Sequence, residues 1–260
     1  MVSDAPKVVL YRGWPDAGKY VWSPFVVKLE ARLRFAGISY TTRAGSLKTA
    51  PKGKIPYVEI LEDDASASTS MGDSTLIIKY LIEQNILPDL NGRLSPTARA
   101  HDLALRALME EKLYFYHMRE RWVDNYYLMR DHVLSSLPYP VRVVVGLLIY
   151  RNMAPVLHGQ GTGRHTRDES IAFRREIWES INDLLVASRA ARLDNEPFWI
   201  LAGSEPTEAD CTVFGFIVSV MLCTAGPDSQ AIVKEFPVVL DYAGRIHDRY
   251  FPDYEKWVEK

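Results

Sequence analysis

The stretch Lys54-Ile-Pro-Tyr-Val-Glu-Ile60, followed by Gly72-Asp-Ser-Thr-Leu-Ile-Ile-Lys-Tyr-Leu81, sets the fold of the first part of this chain. The first segment has β-branched and aromatic residues behind a Gly-Lys turn, which predicts a strand that starts at Pro56. The second segment predicts a helix start, because Asp73 or Ser74 can cap it and apolar residues follow at helical spacing.

These two segments also suggest a binding site. If the Ile55–Pro56 bond is cis, Ile55 presents its N–H and C=O outward, where they can pair with an extended peptide. The helix start, with its free N–H groups and the Ser74 hydroxyl, suits a carboxylate, whereas Asp73 suits an ammonium group. A short peptide with an α-amino-acid head is glutathione. The alternative is an edge-strand proline beside a capped helix with no ligand, a pairing that occurs in many folds.

The order of elements around these segments favours the binding interpretation. A strand at Val8–Tyr11, a helix that opens at Ser23 and runs to Phe35, and a strand at Ser39–Arg43 come first. This order resembles the thioredoxin-like half of cytosolic glutathione transferases over residues 6–85. Four short motifs carry the resemblance: Ser23-Pro-Phe25, Ala36-Gly-Ile38, Gly53-Lys-Ile-Pro56 and Gly72-Asp-Ser74.

The resemblance implies two domains. We predict an α/β thioredoxin-like domain with a mixed four-stranded sheet over residues 6–88, which would bind glutathione. The Pro- and Asn-Gly-containing segment Leu87–Pro96 predicts a linker. Helical periodicity fills most of the remainder, so residues 96–260 predict an all-α C-terminal domain that opens with Ser95 as N-cap.

Later motifs point to a narrower branch of the same superfamily. Gly159–Glu169, the Ser23–Glu30 opening and Thr207–Phe216 resemble the failed-axon-connections-like and metaxin-like branch. That branch often has a cysteine soon after Ser-Pro-Phe, where this chain has Val26. Within the last motif, Thr207 and Asp210 predict a helix capping box with a structural role and no chemistry.

Composition narrows the function classes. The formal net charge of −2 gives no electrostatic case for nucleic acid. The only two cysteines lie in an apolar helical context and predict core thiols in a reducing compartment. The scattered histidines predict no metal site.

The polar opening Met1–Lys7 predicts no secretory signal, and the apolar run Val141–Tyr150, interrupted by Arg142, predicts no membrane span. Together these features predict a cytoplasmic protein.

The candidate site residues follow from the resemblance. Lys54, Ile55, Pro56, Asp73 and Ser74 would bind glutathione. The thiolate partner would be Ser23 at the first helix start, with Tyr11 at the end of the first strand as the alternative. Four residues of the first C-terminal helix would line a pocket for an apolar co-substrate: Tyr114, Arg119, Trp122 and Tyr126. The loop Gly13–Trp22 either covers this pocket or is an insertion held by aromatic packing.

Two functions are therefore predicted. The first is a glutathione transferase that activates the glutathione thiol toward an apolar electrophile, by conjugation or by glutathione-dependent isomerisation, and the family implies a homodimer. The alternative is a non-catalytic interaction protein of the metaxin-like type, with the Gly13–Trp22 loop as its docking surface. Glutathione affinity separates the two.

Overall fold

The computed structural model describes residues 7–61, 68–191 and 196–258. In the first part, a mixed four-stranded sheet in the order β2-β1-β3-β4 confirms the predicted α/β class. Its elements are β1 (Lys7–Tyr11), α1 (Pro24–Phe35), β2 (Tyr40–Arg43), β3 (Tyr57–Leu61), β4 (Ser68–Gly72) and α2 (Ser74–Glu83). Strand β1 pairs parallel with β2, to which α1 connects it, and antiparallel with β3.

The second part is helical, as predicted. It contains α3 (Pro96–Ala107), α4 (Tyr114–Arg119), α5 (Tyr126–Val133), α6 (Tyr139–Gln160), α7 (Arg167–Ala190), α8 (Glu208–Leu222), α9 (Pro227–Lys234) and α10 (Pro237–Tyr250). Ser95 caps α3 as expected, since its hydroxyl accepts from the Ala98 N–H at 3.2 Å. Two π-helical segments, Leu108–Leu113 and Glu120–Asp124, interrupt what the periodicity predicts as one continuous helix. The domain limits of 6–88 and 96–260 remain a prediction, and residues 6, 259 and 260 lie outside the described chain.

Helix α1 is buried on almost every side because the sheet and α2 cover one face and α8 covers the other. Gly215 of α8 permits the second contact: a Cβ there would lie 2.5 Å from the Pro24 carbonyl oxygen and 2.9 Å from the Lys28 nitrogen. Three charged residues of α1 are at most 1% exposed. Each makes an ion pair with another part of the chain: Lys28 with Glu110, Glu30 with Arg12 and Arg32 with Glu208. Removing one partner of such a buried pair typically costs about 3–5 kcal/mol.

The capping box at the start of α8 is confirmed. Asp210 accepts from the Thr207 N–H at 2.7 Å and from the Thr207 hydroxyl at 2.9 Å. It also accepts from the Ile200 N–H at 2.7 Å and the Tyr242 hydroxyl at 2.9 Å. Burial nevertheless raises the pKa of Asp210 to about 6. The carboxyl group therefore joins three chain segments, the start of α8, the segment at Ile200 and α10, and, as predicted, has a structural role.

The apolar run after Pro140 belongs to a longer helix than the sequence shows, and the expectation that it does not span a membrane stays a prediction. The run is part of α6, which is 22 residues long and whose most apolar 18-residue window has a mean hydropathy of 1.3. By length and composition alone, this helix is able to cross a membrane. Flanking residues that are individually less apolar, including Tyr139 and Met153, extend the helix beyond the run that the sequence shows.

Candidate functional site

The sheet register brings the predicted glutathione-binding segments to one edge. Tyr11 at the end of β1 pairs with Tyr57 at the start of β3, and Tyr57 pairs with Gly72 at the end of β4. The segment before β3 and the start of α2 therefore lie at the edge where β1 ends. The loop that leaves β1 there leads to the N-terminus of α1, which carries Ser23.

Ile55 stands before a cis peptide bond to Pro56, which confirms the predicted isomer. Its side chain packs near Gly13, where an added Cβ would lie 3.2 Å from the Ile55 Cδ1. Within the described chain, the Ile55 N–H and C=O have no hydrogen-bond partner. The neighbouring Lys54 is exposed. The backbone of Ile55 is thus available to pair with an extended ligand.

Asp73 precedes α2 in an unusual conformation, with φ 80° and ψ 115°. A positive φ is uncommon for a residue with a side chain and is typical of functional sites and tight turns. The Asp73 Oδ1 accepts from the Thr75 N–H at 3.0 Å and the Leu76 N–H at 3.1 Å. The expectation that these helix N–H groups are free for a ligand carboxylate is therefore wrong for two of them. The second carboxylate oxygen of Asp73 and the buried Ser74 hydroxyl have no protein partner among the described residues.

Ser23 has the extended backbone of an N-cap, with φ −80° and ψ 117°, and Pro24 follows at the first helical position. Its side chain, however, makes no capping hydrogen bond to α1. A serine at this position normally satisfies one of the free N–H groups of the helix. Here the half-buried Ser23 hydroxyl makes no hydrogen bond within the described chain.

Tyr11 is differently placed. Its ring stacks on Tyr57 with centroids 4.2 Å apart, and its hydroxyl donates to the Glu59 Oε2 at 2.7 Å. Because Glu59 lies two residues into β3, the hydroxyl is directed back along the sheet and away from its edge. Burial and the neighbouring Glu59 raise the pKa of Tyr11. The proton of the Tyr11 hydroxyl is therefore already donated to the Glu59 carboxylate and is not available to a glutathione thiol.

The Gly13–Trp22 loop is held by aromatic packing, which was one of its two predicted interpretations. The His132 ring of α5 stacks between two indoles, with centroids 3.4 Å from Trp22 and 5.1 Å from Trp14. Burial lowers the pKa of His132, so the neutral imidazole is favoured between the rings. In the middle of the loop, the Gly18 carbonyl accepts from the Glu255 N–H at 2.8 Å. The loop is therefore tied to α5 and to the C-terminal segment.

The four residues predicted to line a co-substrate pocket do not converge on one cavity. Tyr114 packs edge-on against Phe25, the second residue of α1, with centroids 5.0 Å apart. Arg119 points toward the start of α7 and donates to the carbonyls of His165 and Thr166, both at 2.7 Å. Of these two residues, Tyr114 contacts α1, whereas Arg119 joins α4 to the segment that leads into α7.

Trp122 and Tyr126 share a different cluster. Trp122 is buried with Met129 and Cys223, and Tyr126 and Trp22 pack around that cluster. This contact reaches the start of α1 because Trp22 directly precedes Ser23. Both cysteines are buried, as expected, and burial raises the pKa of each thiol. Neither thiol has the exposed, low-pKa character of a nucleophile.

Sequence reasoning missed a buried charge behind the α2 N-terminus. The Lys28 Nζ donates to the Thr75 Oγ1 at 2.9 Å and to the Glu110 Oε1 at 2.6 Å, and Glu110 accepts from the Thr212 hydroxyl at 2.8 Å. This network joins α1, α2 and two parts of the helical domain next to Asp73. The Ser23–Glu30 motif contains Lys28, but the motif does not reveal partners 47 and 82 residues away.

Two cavities lie near the junction of the two parts. The larger, about 710 Å³, is at the C-terminal end of α1 and contains none of the predicted site residues. The smaller, about 260 Å³, lies beside α2 and is lined by Lys28, Thr75 and Glu208 among others. Over residues 7–61, 68–191 and 196–258, no group of three or more His, Cys, Asp or Glu side chains is placed to hold a metal ion.

Comparison with known proteins agrees with this architecture. The family model for the glutathione S-transferase N-terminal domain matches residues 24–127, from the start of α1 into α5. Among solved structures, FzlA from C. crescentus is 14% identical, with a TM-score of 0.60 over 96% of this chain and 93% of that one. Maleylacetoacetate isomerase from Anaeromyxobacter dehalogenans, with glutathione in its active site, is 15% identical, with a TM-score of 0.51 over 96% and 95% of the two chains.

A third similar structure is a glutathione transferase family member from Pseudomonas fluorescens with two glutathione molecules bound. It is 14% identical, with a TM-score of 0.52 over 94% of this chain and 89% of that one. At these identities, the likeness establishes the glutathione transferase fold. The family match is limited to residues 24–127, and neither it nor the fold separates the metaxin-like branch from other proteins with this fold.

Proposed function

We propose that this protein binds glutathione at the sheet edge formed by Ile55, Asp73 and Ser74, and that it activates the glutathione thiol toward an apolar electrophile. The observation that carries the proposal is Asp73, which is held in a left-handed conformation with one carboxylate oxygen capping α2 and the other without a protein partner. Two structures with this fold, from A. dehalogenans and P. fluorescens, contain glutathione.

Each part of glutathione has a complementary group at this edge. The free oxygen of Asp73 would pair with the γ-glutamyl ammonium group, and the Ser74 hydroxyl and N–H would bind the adjoining carboxylate. The unpaired backbone of Ile55 would hold the cysteinyl residue as an added strand, and exposed Lys54 would lie near the glycyl carboxylate. This arrangement would direct the thiol toward the start of α1.

Ser23 is the group that we assign to the thiol. Its hydroxyl makes no cap bond and lies at a helix N-terminus, where the positive end of the dipole favours an anion. An ordinary thiol with a pKa near 8.5 is about 3% ionised at pH 7. Donation from Ser23 would stabilise the thiolate, which then attacks the electrophile. Conjugation consumes glutathione and isomerisation returns it, and both would use this site.

Tyr114 supplies the apolar side of the site. It contacts Phe25 two residues after Ser23, and burial raises the pKa of its hydroxyl, so the ring presents a neutral surface. Trp22 and Tyr126, which pack around the separate Trp122 cluster, would form a second apolar surface beside α5. Arg119, bound to two carbonyls, would contribute through the position of α4 and not by contact with the co-substrate.

Calorimetric titration with glutathione tests the proposal. The wild-type chain should bind, and Asp73→Asn should bind about 10- to 100-fold more weakly, because a hydrogen bond to a charged group contributes about 1.5–3 kcal/mol. Asparagine keeps an oxygen for the cap and tolerates the left-handed backbone, so the melting temperature should change little. Ser95→Ala, which removes the cap of α3, is the matched control and should lower stability without changing affinity.

Two results would contradict the proposal. Absence of glutathione binding by the wild-type chain would favour the non-catalytic interaction protein. Equal affinities for wild type and Asp73→Asn would place any glutathione site elsewhere.

A further inference from the structure

Helix α6 presents an apolar face that no other part of the described chain covers. Only 11% of its most apolar window is buried. Six of the fifteen large hydrophobic side chains that are exposed in the described chain belong to this one helix, so the exposure is concentrated and not scattered. They are Tyr139, Val141, Val144, Leu147, Leu148 and Val156. Concentrated exposure of this kind marks a surface that contacts something else.

The opposite face of α6 fixes the helix to the protein. Gly146, Ile149, Met153 and Leu157 follow one another at helical spacing, and Gly146 and Leu157 are buried. A Cβ at Gly146 would lie 2.6 Å from the Arg130 Cγ of α5, so the two helices touch closely there. Ile149 and Met153 pack around the Trp122 cluster. Because these four residues hold α6 against the rest of the domain, its outer face can contact another surface without unfolding the domain.

Two exposed arginines at this face, Arg151 and Arg164, have no acidic partner within the described chain, whereas Arg142 pairs with Asp131 at 3.7 Å and Arg167 with Asp228 at 2.9 Å. Between Asp131 and Asp168 the sequence contains no acidic residue and four arginines, although the whole chain has a net charge of −2. Arg151 is exposed on the outer face, three residues after Leu148, and makes no ion pair or hydrogen bond within the described chain. Arg164, in the turn after α6, is also exposed. Basic side chains beside an apolar helix face are typical of helices that bind membrane surfaces, because anionic lipid headgroups attract the positive charges.

Two tyrosines lie at the N-terminal end of the face. Tyr139 of α6 is 64% exposed and Tyr127 of α5 is 70% exposed. Both rings lie near the same Arg130 guanidinium, with centroids 5.6 Å and 5.3 Å from its Cζ. Tyrosine rings have an apolar body and a polar hydroxyl, and they are enriched at the boundary between headgroups and hydrocarbon.

We propose that the outer face of α6, with Tyr127 and Leu128 of α5, docks onto an anionic lipid surface. The apolar side chains would enter the headgroup boundary, and Arg151 would pair with lipid phosphates or carboxylates. A second copy of the chain fits less well, since two copies of α6 would bring arginines together with no acidic residue on either helix to pair with them. Because the opposite face of α6 packs against the protein through Gly146, Ile149, Met153 and Leu157, the helix is better placed to lie on a lipid surface than to cross it. This inference is independent of the proposed glutathione site.

Vesicle sedimentation with the full chain tests the proposal. Vesicles of phosphatidylcholine with phosphatidylserine should bind the protein, and pure phosphatidylcholine vesicles should bind it much more weakly. Arg151→Glu removes one positive charge and adds a negative one, so it should weaken binding to anionic vesicles by about 30-fold. Leu148→Asp should weaken it at least tenfold. Leu103→Asp in α3 is the matched control, because Leu103 is 59% exposed and Leu148 is 57% exposed.

Several outcomes would overturn the proposal. The first is no binding to anionic vesicles, or equal binding to neutral ones. The second is equal loss in Leu148→Asp and Leu103→Asp, with melting temperatures unchanged. A dimer in sedimentation equilibrium that Leu148→Asp abolishes would make α6 an interface between copies. Retention of the protein on vesicles after alkaline carbonate extraction would indicate a span.

Discussion

Replacing Ser23 with alanine should separate a catalytic hydroxyl from a helix cap. A capping serine changed to alanine costs about 1 kcal/mol of stability. In this structure the Ser23 side chain makes no bond to α1, so that cost should be absent. We expect a free energy of unfolding within about 0.5 kcal/mol of wild type, as for surface substitutions that break no specific contact.

The effect on bound glutathione should be much larger. If Ser23 and the helix N-terminus lower the thiol pKa by about two units, the bound thiol is about three-quarters ionised at pH 7, against about 3% when free. Losing this stabilisation would cost the thiolate about 2.7 kcal/mol. The variant should therefore show a bound-thiol pKa near that of free glutathione, at saturating glutathione and with little change in affinity.

The assay is a pH titration of thiolate absorbance in the glutathione complex, with urea unfolding alongside. Tyr11→Phe is the matched control. It removes the hydrogen bond to Glu59, so it should cost about 1 kcal/mol of stability and leave the bound-thiol pKa unchanged. An unchanged thiol pKa in Ser23→Ala together with a raised one in Tyr11→Phe would transfer the role to Tyr11. If neither variant changes it, the activation argument is wrong.

Two further predictions concern the fold that supports the site. Gly215→Ala should lower the free energy of unfolding, measured in urea, by about 1–3 kcal/mol and should also weaken glutathione binding. The added methyl group would collide with Pro24 and Lys28 of α1. A wild-type stability in this variant would show that α1 and α8 can move apart at little cost. The second concerns Asp210, whose pKa burial raises from 3.8 to about 6. The folded chain then holds a proton that the unfolded chain releases, so stability relative to Asp210→Asn should fall by up to about 3 kcal/mol as pH rises from about 4 to 7. Urea unfolding across this pH range checks it, and a relative stability that rises with pH would reverse the sign.

The sequence by itself determined the features that depend on a few consecutive residues. The strand behind Gly53-Lys54, the α2 cap at Asp73, Pro96 at the first turn of α3 and the Thr207 capping box are local. In each, backbone restrictions and nearby hydrogen bonds act within about four residues, so the residue types in order are sufficient. The order of such elements also carried the resemblance to glutathione transferases, and that resemblance implied the mixed four-stranded sheet.

Tertiary structure decided the features that join distant parts of the chain. His132 lies between Trp14 and Trp22. The sequence around His132 does not predict contact with tryptophans more than a hundred residues earlier in the chain. Arg119 has the spacing of a pocket residue, yet its guanidinium turns to the carbonyls of His165 and Thr166. A helical period gives the faces of a helix but not which neighbour covers each face.

Helix α6 shows the same division most clearly. Its sequence is apolar on nearly all sides, and a helix of that kind is ordinarily buried in a core or in a membrane. The sequence thus determined that α6 is mostly apolar, with two arginines and no acidic residue. Only packing decided that Gly146 and Leu157 face the protein while Val144 and Leu148 face outward, since that depends on where α5 lies.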